Sequence, residues 1–132
     1  MKYLLSFVVD EGAREDTSPE EMREGIERWS AFDQEAAQKG ALIACEPLES
    51  SSAATTIHVR EDGERTVSDG PFAESKEQIG GFCLLECENL DEALHWAGKV
   101  PLGSGSIEIR PIMDLSQFGY ESRTLTPAKA TA

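Results

Sequence analysis

The sequence has few of the basic residues that a partner of nucleic acid or of anionic membranes needs. It contains 12 lysines and arginines against 25 aspartates and glutamates, which gives 132 residues a formal net charge of −13. Binding to phosphate backbones or to anionic lipid surfaces relies on clustered lysine and arginine. The composition therefore argues against nucleic acid and against a membrane as partners.

Long apolar runs are also missing. No stretch approaches the roughly 20 apolar residues that a bilayer-spanning helix requires. The apolar start at Lys2–Val9 ends at Asp10 and Glu11, and no small-residue cleavage site follows it. A buried strand explains this segment better than a signal peptide does.

Cysteine and histidine are scarce as well. Cys45, Cys83 and Cys87 are odd in number and lie in apolar runs, which favours buried free thiols. Cys83 and Cys87 would lie about 13 Å apart on one strand, too far for a disulfide. With only two histidines a zinc site lacks ligands, and no phosphate-binding glycine motif occurs. We expect no metal, no cofactor and, by default, a cytoplasmic location.

The remaining composition, 39% hydrophobic and 28% charged residues, is typical of one soluble globular domain. Hydrophobic patterning and turn residues predict alternating strands and helices. The predicted strands are Lys2–Val9, Ala41–Leu48, Thr55–Arg60, Glu64–Ser68, Gly81–Glu88 and Ser106–Met113. A Glu61-Asp62-Gly63 turn joins the third and fourth as a hairpin.

Two helices complete the pattern. Ser18, Pro19 and Glu21 form a strong start for the first, with Ser18 as N-cap. Its apolar stripe then consists of Met22, Ile26, Trp29, Phe32 and Ala36, and Gly40 ends the helix. Asn89 or Asp91 caps the second helix.

The order β-α-β, hairpin, β-α-β predicts an α+β fold, a ferredoxin-like split βαβ sheet with an inserted β-hairpin. We place this domain at residues 1–113 and a C-terminal tail at 114–132. The first strand carries apolar side chains on both faces, so helices on one face would leave the other uncovered. We therefore expect a homodimer that packs sheet on sheet.

One segment is distinctive: Asp69-Gly70-Pro71-Phe72-Ala73-Glu74-Ser75-Lys76-Glu77-Gln78-Ile79-Gly80-Gly81-Phe82. It resembles the DGPF signature of the YCII-related protein family. The opening Lys2-Tyr3-Leu4-Leu5, the helix start at Ser18 and the last strand at Ile107–Ile112 agree with the same family. The resemblance runs from about Met1 to Met113.

The resemblance implies a dimeric α/β barrel, in which two ferredoxin-like sheets enclose a pocket. That superfamily includes proteins similar to muconolactone isomerase and a dehydrochlorinase, beside many members without known activity. DGPF-type proteins also occur beside sigma factors of the extracytoplasmic-function group. The wider family pairs a histidine on the first helix with an aspartate, whereas Pro19–Lys39 of this chain contains no histidine.

The candidate catalytic residues are Asp69 as acid or base, with His58 or Lys76 as its partner. The candidate ligand-binding residues are Gly70, Pro71, Phe72, Glu74 and Phe82. The alternative is structural, because Asp, Gly and Pro are turn-forming residues and Phe72 could fill the core. By strand alternation His58 faces away from Ile57 and Val59.

Two functions remain open from the sequence. One is a small-molecule-binding or accessory protein with a link to sigma-factor regulation. The alternative is a cofactor-independent isomerase or lyase that acts on a small organic substrate with Asp69 as acid or base. The sequence is thus compatible with an enzyme and with a binding protein.

Overall fold

A computed structural model describes residues 1–14 and 16–121, and within them the chain alternates strands and helices in the predicted order. The strands are β1 (Lys2–Asp10), β2 (Leu42–Pro47), β3 (Thr55–Val59), β4 (Arg65–Asp69), β5 (Glu77–Glu86) and β6 (Ser106–Pro111). The helices are α1 (Glu11–Arg14), α2 (Pro19–Gln38) and α3 (Leu90–Lys99), and 3₁₀ turns span Ser51–Ala53 and Leu115–Phe118.

The main sheet has the order β2-β5-β1-β6, and all its neighbours are antiparallel. Strands β1 and β2 flank β5, while β5 and β6 flank β1, so each βαβ half receives a strand of the other. This interleaving is the split βαβ arrangement. The α+β prediction is confirmed, and the topology is compatible with a ferredoxin-like fold.

Both long helices cover one face of this sheet. The core joins Phe32 and Ala36 of α2 with Trp96 of α3 and with Leu5 and Leu85 of the central strands. Alternate residues of β1 are buried on this face, and those between them are half-buried on the other. The outer face of the sheet thus carries apolar groups, and no helix of residues 1–14 or 16–121 lies over them.

The predicted ends of the helices are confirmed. The Ser18 side chain accepts a hydrogen bond from the Glu21 backbone N–H at 3.2 Å, and Asn89 caps α3 in the same way through Glu92. Gly40 follows α2 with a positive φ of 74°. This is the left-handed conformation that favours glycine after a helix.

The hairpin of β3 and β4 forms a second sheet of its own. Direct pairs are Ile57 with Val67 and His58 with Thr66, so the apolar side chains share one face, flanked by Arg65 and Asp69, and the other face is polar. Ile57 and Val67 are 57% and 68% exposed. The predicted alternation, with His58 on the face opposite Ile57 and Val59, is confirmed, and the apolar face of the hairpin is exposed in a single chain.

The cysteine prediction is wrong in part. Cys45 and Cys83 lie directly opposite each other on β2 and β5 and form a disulfide, and Cys87 alone is a buried free thiol. Spacing along one strand could not reveal this pair, because the partner comes from a neighbouring strand. A cytoplasmic location stays a prediction, without the support that three free thiols would have given it.

The acidic segment after β1 is held by a helical turn and by contacts with the Ser51 turn. It contains α1, and the Glu11 carboxylate accepts hydrogen bonds from the Ser51 backbone N–H at 2.8 Å and hydroxyl at 2.6 Å. Of the predicted tail, 114–121 includes the second 3₁₀ turn. Residues 122–132 lie outside the described residues.

The turn before β6 depends on a glycine. Gly105 has a φ of +124°, and a Cβ atom there would collide with the carbonyl oxygen of Val8 on β1. Gly63 in the hairpin turn also has a positive φ, of +87°, but a Cβ atom there would meet open space. Both positions require a positive φ, but only at Gly105 would a side chain collide with a neighbouring strand.

Gly105→Ala should destabilise the protein by at least about 3 kcal/mol, because strain and a backbone collision add. Gly63→Ala, the matched control, should cost about 1 kcal/mol for the left-handed conformation alone. Urea unfolding of both variants measures the difference. Equal losses would contradict the collision at Gly105.

Candidate functional site

A cleft of about 520 Å³ lies between α2 and the helix-covered face of the sheet. We call it the helix-side cleft. Helix α2 contributes Ile26, Trp29, Ser30 and Asp33, whose spacing places them on one face of the helix. The opposite wall comes from β1, β2, β5 and the Pro101–Ser104 turn before β6.

The walls of the cleft are largely apolar and aromatic. Phe7 on β1 and Trp29 on α2 lie with ring centroids 5.1 Å apart, and Trp29 also meets Phe32 edge-on at 6.1 Å. Phe7 is buried, but Trp29 is only half-buried. Part of the indole ring is therefore free to contact a ligand.

Glycine shapes the floor. Gly80 is the extra residue of a β-bulge, since Phe7 pairs with Gly81 and Val8 pairs with Ile79. A Cβ atom on Gly81 would lie 3.0 Å from the Glu46 carbonyl oxygen. The close backbone approach at this glycine is therefore between two strands of one chain, and both glycines line the cleft.

Asp33 is the outstanding polar group of the cleft. Its Oδ1 atom is buried and has no hydrogen-bond partner among the described residues. Burial raises the pKa of Asp33 above that of an ordinary aspartate, and the negative charge of Glu46 raises it further. A carboxyl group with an unused oxygen and a raised pKa can accept a hydrogen bond, pair with a cation or hold a proton.

The predicted site residues lie elsewhere. None of Asp69, His58, Lys76, Gly70, Pro71, Phe72, Glu74 and Phe82 is among the described residues that line the helix-side cleft. Asp69 pairs with Thr55, whereas His58 pairs with Thr66, so the aspartate and the histidine lie on opposite faces of the hairpin. His58 instead lies 3.3 Å from the Ser68 hydroxyl, and both Asp69 and His58 are exposed.

The other predicted residues are equally dispersed. Lys76 is exposed beside Glu11 and forms no ion pair among the described residues. Glu74 is exposed and Phe72 is 85% exposed, so Phe72 does not fill the core of this chain. Phe82 is half-buried and directly opposite Ser6, on the outer face of the sheet. The structure thus does not bring the predicted residues together in one cleft, and their roles stay predictions.

The signature segment uses several of its polar groups in hydrogen bonds within itself and with the start of β3. The Gly70 N–H donates to the Ala54 carbonyl at 2.8 Å, and the Gly70 carbonyl accepts from the Thr56 hydroxyl at 2.7 Å. The Gln78 amide donates to the Ala73 and Ser75 carbonyls at 2.9 and 3.1 Å. These contacts favour the structural interpretation of the motif.

Sequence reasoning missed Asp33. One signal was present, because Asp33 stands four residues after Trp29 and seven after Ile26, within the apolar stripe of α2. A carboxyl group at such a position faces the sheet. Its nearness to Glu46 depends on tertiary packing and left no pattern in the sequence.

Metal sites and membrane-spanning helices each have requirements that the described residues do not meet. Within 1–14 and 16–121, no group of three or more histidine, cysteine, aspartate and glutamate side chains is arranged to hold a metal ion. Over the same residues, no helix has the length and apolarity to cross a membrane.

The fold and the cleft define an antiparallel α+β domain of ferredoxin-like strand order with a pocket under its first long helix. The family model of the YCII-related domain matches residues 1–116. The chain belongs to that family. It is also 36% identical over 115 residues to an uncharacterised protein of Rhizobium meliloti (strain 1021), across 85% of this chain and 92% of the relative.

Asp33→Asn should stabilise the protein at neutral and alkaline pH, because it removes a desolvated carboxylate close to Glu46. The folded pKa of Asp33 lies above its unfolded value, so the wild type loses stability as the pH rises through these values. We expect a gain in Tm of up to roughly 4 °C at pH 8, within the range that single substitutions produce in a domain of this size. The gain should vanish near pH 3.

Thermal unfolding from pH 3 to 8 measures this gain. The control is Glu24→Gln on the exposed face of α2, which removes one negative charge outside the cleft. A gain for Asp33→Asn that is independent of pH would contradict the assignment.

Proposed function

We propose that the chain is a small-molecule-binding protein whose ligand occupies the helix-side cleft. The observation that carries this proposal is one open cleft of about 520 Å³ that holds a half-buried Trp29 and an Asp33 whose Oδ1 atom has no partner among the described residues. Sites for small molecules commonly have about 300–1,000 Å³, apolar walls and a few converging polar groups.

Cofactor-independent isomerase or lyase chemistry at Asp69 is the weaker candidate. Asp69 is exposed, and its side chain has no hydrogen bond or ion pair among the described residues. An acid–base residue needs a partner or a substrate held within hydrogen-bond reach. The link to sigma-factor regulation rests on the family resemblance and stays a prediction.

We expect Ser30→Phe to block ligand binding, because Ser30 is an exposed residue of α2 that lines the cleft. The probe is N-phenyl-1-naphthylamine, an apolar fluorophore that is uncharged at neutral pH. The phenylalanine side chain should weaken binding of the probe at least about tenfold, because it occupies the apolar space that the probe would fill. Fluorescence titration measures the affinity.

The matched control is Ala31→Phe, the next residue of α2, which is exposed and lies outside the lining. It should bind the probe as the wild type does. Failure of the wild type to bind, or equal binding by both phenylalanine variants, would refute the cleft as a ligand site.

The chain also forms a homodimer in this proposal, and the first support is the hairpin. A two-stranded hairpin is marginally stable alone in water. That of β3 and β4 presents Ile57, Val59 and Val67 on one exposed face. A second copy of the chain would cover this face.

The second support is the outer face of the main sheet. Leu4, Val8 and Leu84 lie there half-buried, with no helix of the described chain above them. Sheet-on-sheet packing, the arrangement of a dimeric α/β barrel, would bury them at an interface.

Val67→Lys should weaken the dimer at least about tenfold, because a charge would enter an apolar contact. Thr66→Lys, one residue earlier on the polar face, is the matched control and should leave the dimer intact. Sedimentation velocity measures the monomer–dimer equilibrium. We expect a dissociation constant of the order of micromolar for the wild-type dimer. A wild type that stays monomeric at a protein concentration about 100-fold higher would contradict this interface. Equal weakening of the dimer by Val67→Lys and Thr66→Lys would contradict it too.

A further inference from the structure

The charged side chains among the described residues that line the helix-side cleft all have one sign. Three carboxyl groups line it, from Asp10 at the end of β1, Asp33 on α2 and Glu46 on β2. No lysine, arginine or histidine is among the described residues of the lining. In a partly desolvated cleft such charges are screened less than on an open surface, so they favour a positive ligand and repel an anion.

One of these carboxyl groups has an acceptor to spare. Asp10 already accepts a hydrogen bond from the Gly12 N–H at 2.9 Å, whereas Asp33 Oδ1 has no partner among the described residues. A buried polar atom without a partner is costly, and a ligand that donates a hydrogen bond removes that cost. An ammonium group donates up to three and also neutralises the charge.

The aromatic wall stands beside this carboxyl group. Trp29 is one helical turn before Asp33 on the same face of α2. The ring centroid of Phe7 on β1 lies 5.1 Å from that of Trp29. An indole ring takes up an apolar body by stacking, and its face attracts a cation. The cleft thus offers an apolar half and an anionic end.

We infer that the helix-side cleft binds a primary amine or a similarly compact organic cation, with its ammonium group on Asp33 and its apolar body against Trp29. This inference rests on the proposed function and deepens it, since it names the charge class of the ligand. The preference for a cation over an anion comes from attraction at Asp33 and from repulsion of carboxylate ligands by Asp10, Asp33 and Glu46.

The assignment also sets the pH dependence. Asp33 must be ionised to pair with the ammonium group, and the titratable groups that line the cleft around it are Asp10 and Glu46. An alkyl ammonium group stays protonated below about pH 9. Affinity for the amine should therefore rise with pH from 4 to 8, the reverse of what an anionic ligand held by a protonated carboxyl would show.

Calorimetric titration with three indoles of similar shape tests the inference: tryptamine as the cation, tryptophol as the neutral analogue and indole-3-acetate as the anion. We expect tryptamine to bind at least about tenfold more tightly than tryptophol, and indole-3-acetate to bind most weakly. Asp33→Asn should remove that tenfold preference and flatten the pH dependence. Binding of tryptophol to this variant should be unchanged.

Glu24→Gln is the control, because it removes one negative charge from α2 outside the cleft and should keep the preference for tryptamine. Equal or tighter binding of tryptophol or indole-3-acetate to the wild type would overturn the inference. So would an unchanged preference in Asp33→Asn. If N-phenyl-1-naphthylamine still binds in these cases, the proposed function stands alone, and if it does not, both fail.

Discussion

The antiparallel pairing of β1 with β5 holds the rest of the structure in place. The two strands are about 75 residues apart in sequence, yet they run side by side from Lys2 and Glu86 to Asp10 and Glu77. This pairing interleaves the two βαβ halves and aligns the buried residues of both strands on one face, where α2 and α3 cover them. Long-range pairing of this kind closes large loops and is therefore rewarded only when the whole core forms.

The irregularity in this pairing determines where the cleft lies. At Gly80 the bulge shifts the register, and Gly81 then lets the backbone of β2 approach within 3.0 Å of where its Cβ would be. At the other side, Gly105 holds the turn before β6 against the Val8 carbonyl. The glycines of the bulge and the turn that precedes Gly105 line the cleft together with Trp29 of α2.

Local signals predicted the fold well because each is decided by neighbouring residues. Ser18 and Gly40 determine the ends of α2, and Asp62-Gly63 gives the hairpin turn, whatever the rest of the chain does. The Cys45–Cys83 disulfide joins strands that are far apart in sequence, and the nearness of Asp33 to Glu46 depends on how α2 packs on the sheet. No local pattern contains such contacts, so the site could be found only once the strands were in register.

The contrast between the signature motif and the cleft has a physical basis. The motif places several polar groups within a few positions. The backbone of Gly70 and the side-chain amide of Gln78 use their hydrogen bonds to hold the loop in place. A group that is already satisfied gains little from a ligand, because a new bond must replace an old one. Asp33 differs, since its Oδ1 atom is buried and unpartnered among the described residues. In the proposed function, ligand binding therefore relies on Asp33 of α2, while the hydrogen bonds of Gly70 and Gln78 favour a structural interpretation of the signature segment.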